Sequence, residues 1–504
     1  MRWRGATSVL AVLVVLLAAG AGAVAAHPGA AGPQSKPAGC ARFGRPAVAS
    51  DPRRHALRVI AIQFLQQPGS LVTAATYTRE IDCAMRTEVA PYLARGRTNL
   101  VVFDEDVGLE VLAAGPRGAT ARRLLRHGVP SCAGKGFPCQ TIAALTALTS
   151  AYARSLRYLE RRFPQLSSQS DAAFIAGTDQ YARVFMTTMA DEALRYGVYV
   201  VASNTQAPFR LTRNPTAVAA LASVPKVKAV YEPTVAAAYD QTFLWGPRVV
   251  HRGAPAPLAN LIAANRKVPL TGFEQALGFA EGPSTGSAAV ANLRPVPIPG
   301  TGVRLGFATS LPAFTYGPAS PGHQCDDVKQ TYMRCLDKLG ANVVIQADAN
   351  NGAWTGPDGS DPAEHWQPLS WMGSAYRAVS DPTVHFAYAV NPFMVGNLAD
   401  IPFDGQSAIL ERGRRGSGCH YVGNAVAVPG QDLSKFRRYA GPKPEFLALA
   451  PWAVPDAGRR RLRAVGTLLA AGDASRYRYV QTAVIADLPF PVDRLRTGCQ
   501  RAGR

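Results

Sequence analysis

From Leu57 onward, short runs rich in β-branched residues alternate with longer stretches whose apolar positions recur every three or four residues. Continuous or alternating apolar runs build strands and a 3.6-residue period builds amphipathic helices, so the pattern predicts a layered α/β fold. Strands are expected at 57–64, 99–103, 198–202, 242–245, 303–309, 341–347, 384–390, 407–410 and 483–487. One helix is expected over 74–93, where Ile81, Met85 and Val89 are four residues apart, and another over 142–163. A third is expected over 326–339, with Val328, Tyr332, Leu336 and Leu339 on one face and Gly340 as the stop. No fixed-period repeat is evident. Residues 110–176 are long for a strand-to-strand connection and read as an insertion, either overhanging a site or decorating the surface.

The chain's beginning reads differently. Arg2 and Arg4 precede an apolar stretch from Val9 to Leu17 and the small residues Ala23-Val24-Ala25. This is the pattern of a secretory signal peptide over 1–26, cleaved near 25–27, with an uncleaved N-terminal anchor as the alternative. Residues 27–54, rich in Pro, Ala and Gly, read as a flexible lead-in. A single domain is then expected over 55–497, with a tail at 498–504.

At 504 residues, 47% hydrophobic and 17% charged, the chain is a core former, neither disordered nor polytopic. Cys40, Cys83, Cys132, Cys139, Cys325, Cys335, Cys419 and Cys499 follow the leader, and an even number in an exported chain implies disulfides. Cys132 and Cys139 are the easiest local pair. Cys325 and Cys335, placed on one helix about 15 Å apart by rise, are not expected to bridge each other. No CxxC or HExxH occurs and the histidines are scattered, so a metal site is not expected. The net charge of +20 draws anionic partners, yet runs such as Arg412-Gly413-Arg414-Arg415 and Arg459-Arg460-Arg461 lack interleaved aromatics. Nucleic acid is therefore not expected. Association with an anionic cell envelope and a merely solvated basic surface both remain open.

Two segments could carry chemistry. In Asn99-Leu100-Val101-Val102-Phe103-Asp104-Glu105 a carboxylate follows a buried strand, where α/β sheets collect ligands. Partly desolvated, Glu105 would serve as a general base; otherwise it is a helix cap. In Asn265-Arg266-Lys267-Val268-Pro269 a lysine sits among apolar residues, able to stabilise developing negative charge or simply to be solvated. Glu274, seven residues on, could orient it. Gly282-Pro283-Ser284-Thr285-Gly286 is formally GxSxG, but its loop-like flanks do not suit a nucleophile elbow.

Taken in order, the runs LRVIAIQF, NLVVFDED, YGVYVVASN, YDQTFLWGPR, NRKVPLT, GVRLGFATS, LGANVVIQAD, YAVNPFMVGNLADIPFDGQSAIL and QTAVIADLPFPVDR resemble the nitrilase-like carbon–nitrogen hydrolases from about residue 57 to 494. The resemblance implies a four-layer αββα sandwich that assembles through a helical face into a homo-oligomer. It also implies cofactor-free hydrolysis of small amides or nitriles through an acyl-enzyme, with Glu105 as general base, Lys267 as stabiliser of the tetrahedral intermediate and Glu274 as supporting glutamate. The family's nucleophile is a cysteine in Gly-x-x-x-Cys, and here Gly306-Phe307-Ala308-Thr309-Ser310 ends in serine. Two nucleophiles are therefore weighed: Ser310 itself, and Cys325 after a local insertion. Trp354 and Asn391 match pocket-lining positions, with core or turn roles as the alternative. The expected protein is a secreted hydrolase of non-peptide C–N bonds, or a catalytically silent relative that binds a ligand or partner in the same cleft.

Overall fold

The computed structural model describes residues 40, 43, 46–49, 57–66, 71–132, 139–350, 374–398, 401–403, 405–412, 422–423, 445–449 and 481–490. The signal peptide, most of the lead-in, Trp354, the remaining basic runs, Cys419, Cys499 and the tail lie outside them.

Two seven-stranded sheets dominate. The first runs Ala47–Ala49, Thr482–Leu488, Leu57–Gln63, Asn99–Val102, Tyr199–Gln206, Tyr239–Trp245, Leu261–Arg266. The second runs Val296–Ile298, Val303–Phe307, Val343–Ile345, Tyr388–Asn391, Ala408–Glu411, Glu445–Leu449, Val422–Gly423. In each sheet three consecutive strands are parallel and the next is antiparallel: Leu57–Gln63, Asn99–Val102 and Tyr199–Gln206 in one, Val303–Phe307, Val343–Ile345 and Tyr388–Asn391 in the other. Parallel strands buried on both faces need near-continuous apolar runs, which these segments supply.

Strand side chains alternate faces, and the core divides accordingly. Leu57, Val59, Ala61, Leu100 and Val102 of the first sheet share one buried cluster with Leu305, Phe307, Val343, Ile345 and Val390 of the second. Their neighbours Ile60, Ile62 and Val101 pack instead with Tyr77, Ile81 and Met189 from helices. On the second sheet Val344 and Ala389 pack with Tyr332 and Leu336 of the helix Val328–Lys338. Gly306 allows that helix its approach, since a Cβ there would meet Leu336 Cδ2 at 2.7 Å.

Local departures from the expected elements have identifiable causes. The helix over 74–93 is α-helical to Ala84, widens over Met85–Val89 and tightens over Ala90–Tyr92, where Pro91 has no N–H to continue the ladder. The helix over 142–163 is two helices, Cys139–Ala151 and Ala153–Glu160, parted at Tyr152, whose hydroxyl bonds Leu112 O and Gln180 Oε1. The strand over 384–390 begins only at Tyr388, because Val384 and Phe386 face the helix cluster and the His385 N–H donates to Asp337. Leu261–Arg266, an edge strand with a half-exposed surface, was not anticipated. Arg412 is not a solvated member of a basic run: its guanidinium donates to Phe386 O and Ala378 O.

Three disulfides join Cys40 to Cys83, Cys132 to Cys139 and Cys325 to Cys335. The last corrects the expectation that Cys325 and Cys335 are too far apart. Cys325 precedes the helix, which starts at Val328 behind the Asp327 cap, so helical rise does not separate the pair and their Cα atoms are 4.8 Å apart. A non-reducing digest should yield a single cross-linked Cys325/Cys335 peptide; a free thiol at either residue in the native protein would contradict this pairing. Leu336→Ala, opening a void under Gly306, should cost about 2–5 kcal/mol in denaturant unfolding, and an unchanged midpoint would refute this packing.

Candidate active site

Four chain segments meet at one end of the two sheets. Glu105 follows Asn99–Val102, Asp240 opens Tyr239–Trp245, Lys267 follows Leu261–Arg266 and Ser310 follows Val303–Phe307. Pairing of Gln241 with Arg266 sets Lys267 beside Asp240, whose carbonyl accepts the Lys267 N–H at 2.9 Å. The Lys267 ammonium, itself buried, donates to Glu105 Oε1 at 2.6 Å and Glu274 Oε1 at 2.8 Å, and lies 3.5 Å from Asp240 Oδ2. Glu105 is fixed from the other side by the Ala349 N–H on Oε2 at 2.8 Å. Glu274 is held by a capping box: its Oε2 accepts the Thr271 N–H and hydroxyl at 2.7 Å each, while its own N–H donates to Thr271 Oγ1.

The charges do not balance. Glu105, Asp106, Asp240 and Glu274 influence one another around a single ammonium. Burial pushes the Glu105 carboxyl well up despite Lys267, with Asp240, Glu274 and Asp106 adding to the rise. Burial likewise raises Asp106 strongly and Asp240 to about 6. Lys267 is raised well above the usual lysine range: burial opposes its charge, but Glu105, Glu274 and Asp240 overcome that. One cation cannot neutralise four carboxylates packed around it, so Glu105, Asp106 and Asp240 hold protons to a higher pH than exposed carboxyls do. Glu105, Asp240 and Glu274 have the spacing to hold a cation together. The cation among them is the Lys267 ammonium.

Ser310 is backed by a strand and followed at once by the short helix Leu311–Phe314. Its backbone has φ 59° and ψ −121°, a region non-glycine residues rarely occupy. The segment is clamped on all sides. Ser310 N–H donates to Ala347 O at 3.0 Å, Thr309 and Thr242 hydroxyls meet at 2.6 Å, and Tyr332 OH donates to Phe307 O at 2.7 Å. A strand, a strained residue and a helix are the parts of a nucleophile elbow. Asp106 is also at positive φ, 55°.

Glu105, Asp106, Lys267, Glu274 and Ser310 line one cavity of about 230 Å³. The structure thus brings together four of the five candidate residues. The fifth, Cys325, is bonded to Cys335 and is not among the cavity's lining residues, so its sulfur is not an available thiolate in this state. Ser284 lies in a loop and does not line the cavity; its carbonyl accepts the Val328 N–H. Asn391 is buried away from it, donating to Gln346 O and Asp348 Oδ2 at 2.7 Å each. Sequence reading passed over Asp240, although an aspartate opening an apolar strand is itself a signal. It also passed over Thr271-Gly272-Phe273-Glu274, which has the Thr-x-x-Glu form of a capping box.

A mixed α/β fold with a buried carboxylate–lysine group is therefore the class of site defined here. No family model matches the chain, and no curated protein does. Among solved structures it is similar to the amidase from Nesterenkonia sp. AN1 carrying acrylamide at its active-site cysteine, with 12% identity, TM-score 0.35, and 71% of this chain and 85% of that one covered. A cysteine-to-serine form of that amidase, described as a nitrilase-superfamily member, has 13% identity, TM-score 0.35 and 71% and 84% coverage. A cysteine-to-alanine form of the amidase in complex with butyramide has 12% identity, TM-score 0.36 and 71% and 85% coverage.

Burial raises the Asp348 carboxyl to about 7, against hydrogen bonds from Asn391 and Gln346 that pull it down. A carboxyl raised in the folded state contributes fully below about pH 4, and that contribution is lost as pH climbs to about 7. Between pH 5 and pH 8, Asp348→Asn should therefore gain on the wild type by about 1–4 kcal/mol in unfolding free energy. A difference independent of pH would refute the buried, protonated carboxyl.

Proposed function

We propose that this chain is a nitrilase-like carbon–nitrogen hydrolase that works outside the cytoplasm on small amides, with Ser310 as nucleophile. The observation that carries the reading is Ser310 itself, held at φ 59° between a strand and a helix, in the cavity that also contains Glu105 and Lys267. Three disulfides support an oxidising compartment. No helix among the described residues is long and apolar enough to cross a membrane. We read the three buried clusters as the interlayer cores of a four-layer αββα sandwich, and 110–176 as a segment inserted into the single domain over 55–497.

In the proposed reaction Ser310 Oγ attacks the amide carbon while its proton passes to the Glu105 carboxylate. The carbonyl electron pair moves onto oxygen, where the Lys267 ammonium balances it. Collapse of the intermediate breaks the C–N bond, and the departing amine takes the proton from Glu105. Water then repeats the attack on the ester, yielding the acid and free Ser310. An alcohol needs a stronger base than a thiol does, and a carboxyl raised by burial meets that need better than an ordinary one. Glu274 and Asp240 hold the lysine in position.

A second reading has its own observation. Both Glu105 oxygens are already engaged, one by Lys267 and one by the Ala349 N–H. That arrangement suits a cleft that binds an amide without cleaving it.

A panel of small amides, nitriles and esters separates the two. Turnover is expected for wild type, with Ser310→Ala and Glu105→Gln reduced by at least about 10²-fold. Because Glu105 must be ionised, kcat/KM should rise with pH, through a midpoint above the usual carboxylate range near about 4.3. An acyl group trapped on Ser310 by mass spectrometry would establish the ester. No turnover on the whole panel sinks the hydrolase reading, and turnover unchanged in Ser310→Ala sinks the nucleophile.

A further inference from the structure

The cavity holds far more apolar surface than an amide group requires. One wall comes from residues 110–176: Leu112 precedes the helices, Leu125 lies on Ala119–His127, Leu145 and Leu148 lie on Cys139–Ala151, and Phe174 on Ala172–Ala176. Facing residues come from elsewhere in the chain. Met394, Ile401 and Phe403 form a small buried cluster of their own, with Phe273 packed against it, and all four line the cavity. Apart from the Glu105–Lys267 group with its neighbours Asp106 and Thr271, and from Ser310, the polar side chains lining it are Glu110 and Thr141.

A small polar amide would leave these side chains facing water. An apolar wall discriminates by hydrocarbon size, because each methylene taken out of water adds binding free energy. The 110–176 segment also bears on access. The Cys132–Cys139 bridge joins the stretch after Ala119–His127 to the start of Cys139–Ala151, tying together the two helices that carry Leu125, Leu145 and Leu148.

We infer that the cavity selects carboxamides bearing a medium-length hydrocarbon chain, with the amide at the Glu105–Lys267–Ser310 end and the chain against the wall built by residues 110–176. This rests on the amide reading of the site, which it narrows to a substrate class.

The test is a binding series of linear carboxamides, acetamide to octanamide, titrated by calorimetry into the Ser310→Ala protein, with turnover of the same series by wild type. Affinity should climb about fourfold per methylene, the equivalent of ~0.8 kcal/mol, until the cavity is filled. Leu145→Asn and, separately, Leu125→Asn, both at half-buried positions, should flatten that slope. Acetamide turned over by wild type with no gain in affinity along the series overturns the inference and leaves the hydrolase standing. Affinity that climbs with chain length, without turnover of any member, supports the inference and overturns the hydrolase. A slope unaltered by both wall variants places the chain elsewhere and overturns the inference.

Discussion

A single ammonium group among four carboxyls, three of them buried, organises this end of the molecule. Lys267 cannot be buried alone, and neither can Glu105. Each is admitted by the other, and the surplus of acids is tolerated because protons replace the missing cations. The consequence for the fold is geometric. Glu105, Asp240, Lys267 and Glu274 come from four separated stretches, so satisfying one ammonium fixes the ends of three strands of one sheet and a short helix with respect to one another. The consequence for chemistry is that proton acceptors and a fixed positive charge occupy one enclosed space, which is what acyl transfer asks of its surroundings.

That group also explains which part of the site could be read in the chain. Glu105 stands just after a strand whose end is legible from the apolar run Asn99–Val102, whereas Lys267 follows Leu261–Arg266, which gave no such signal. Their meeting across 162 residues was implied only by resemblance, since nothing local encodes it. Asp240 needed the antiparallel register of Tyr239–Trp245 on Leu261–Arg266, and the latter is an edge strand whose side chains are half exposed and barely patterned. Leu57–Gln63 and Asn99–Val102 were found nearly to the residue from their apolar runs, whereas Tyr199–Gln206 was drawn too short because it turns polar at Ser203. Tyr388–Asn391 was drawn too long for the opposite reason: Val384 and Phe386 are as apolar as any strand, but their contacts are with a helix.

Cys325 shows a different limit. Helical spacing placed it on the same rod as Cys335, and the inference of separation followed correctly from that premise. The premise failed by three residues, since Asp327 caps the helix and leaves Cys325 in the preceding turn. A small error in a helix boundary thus reversed a conclusion about covalent structure and, with it, the availability of a thiol. With Cys325 bonded to Cys335, the thiol weighed against Ser310 is not available in this state.

In the proposed hydrolase, a serine nucleophile shifts the burden from the nucleophile to its surroundings. A thiol loses its proton readily, so a modest base serves; an alcohol requires that the base be strong, close and shielded. Burial supplies strength to Glu105 by raising its carboxyl, at the cost of lowering the fraction ionised at a given pH. The enclosing wall from residues 110–176 bears on the same balance. By displacing water with leucine and phenylalanine side chains, a hydrocarbon substrate would deepen the burial of the carboxyl cluster and strengthen every charge interaction in it. In the proposed hydrolase an apolar substrate and a serine nucleophile are therefore matched requirements, each making the other workable in the same cavity.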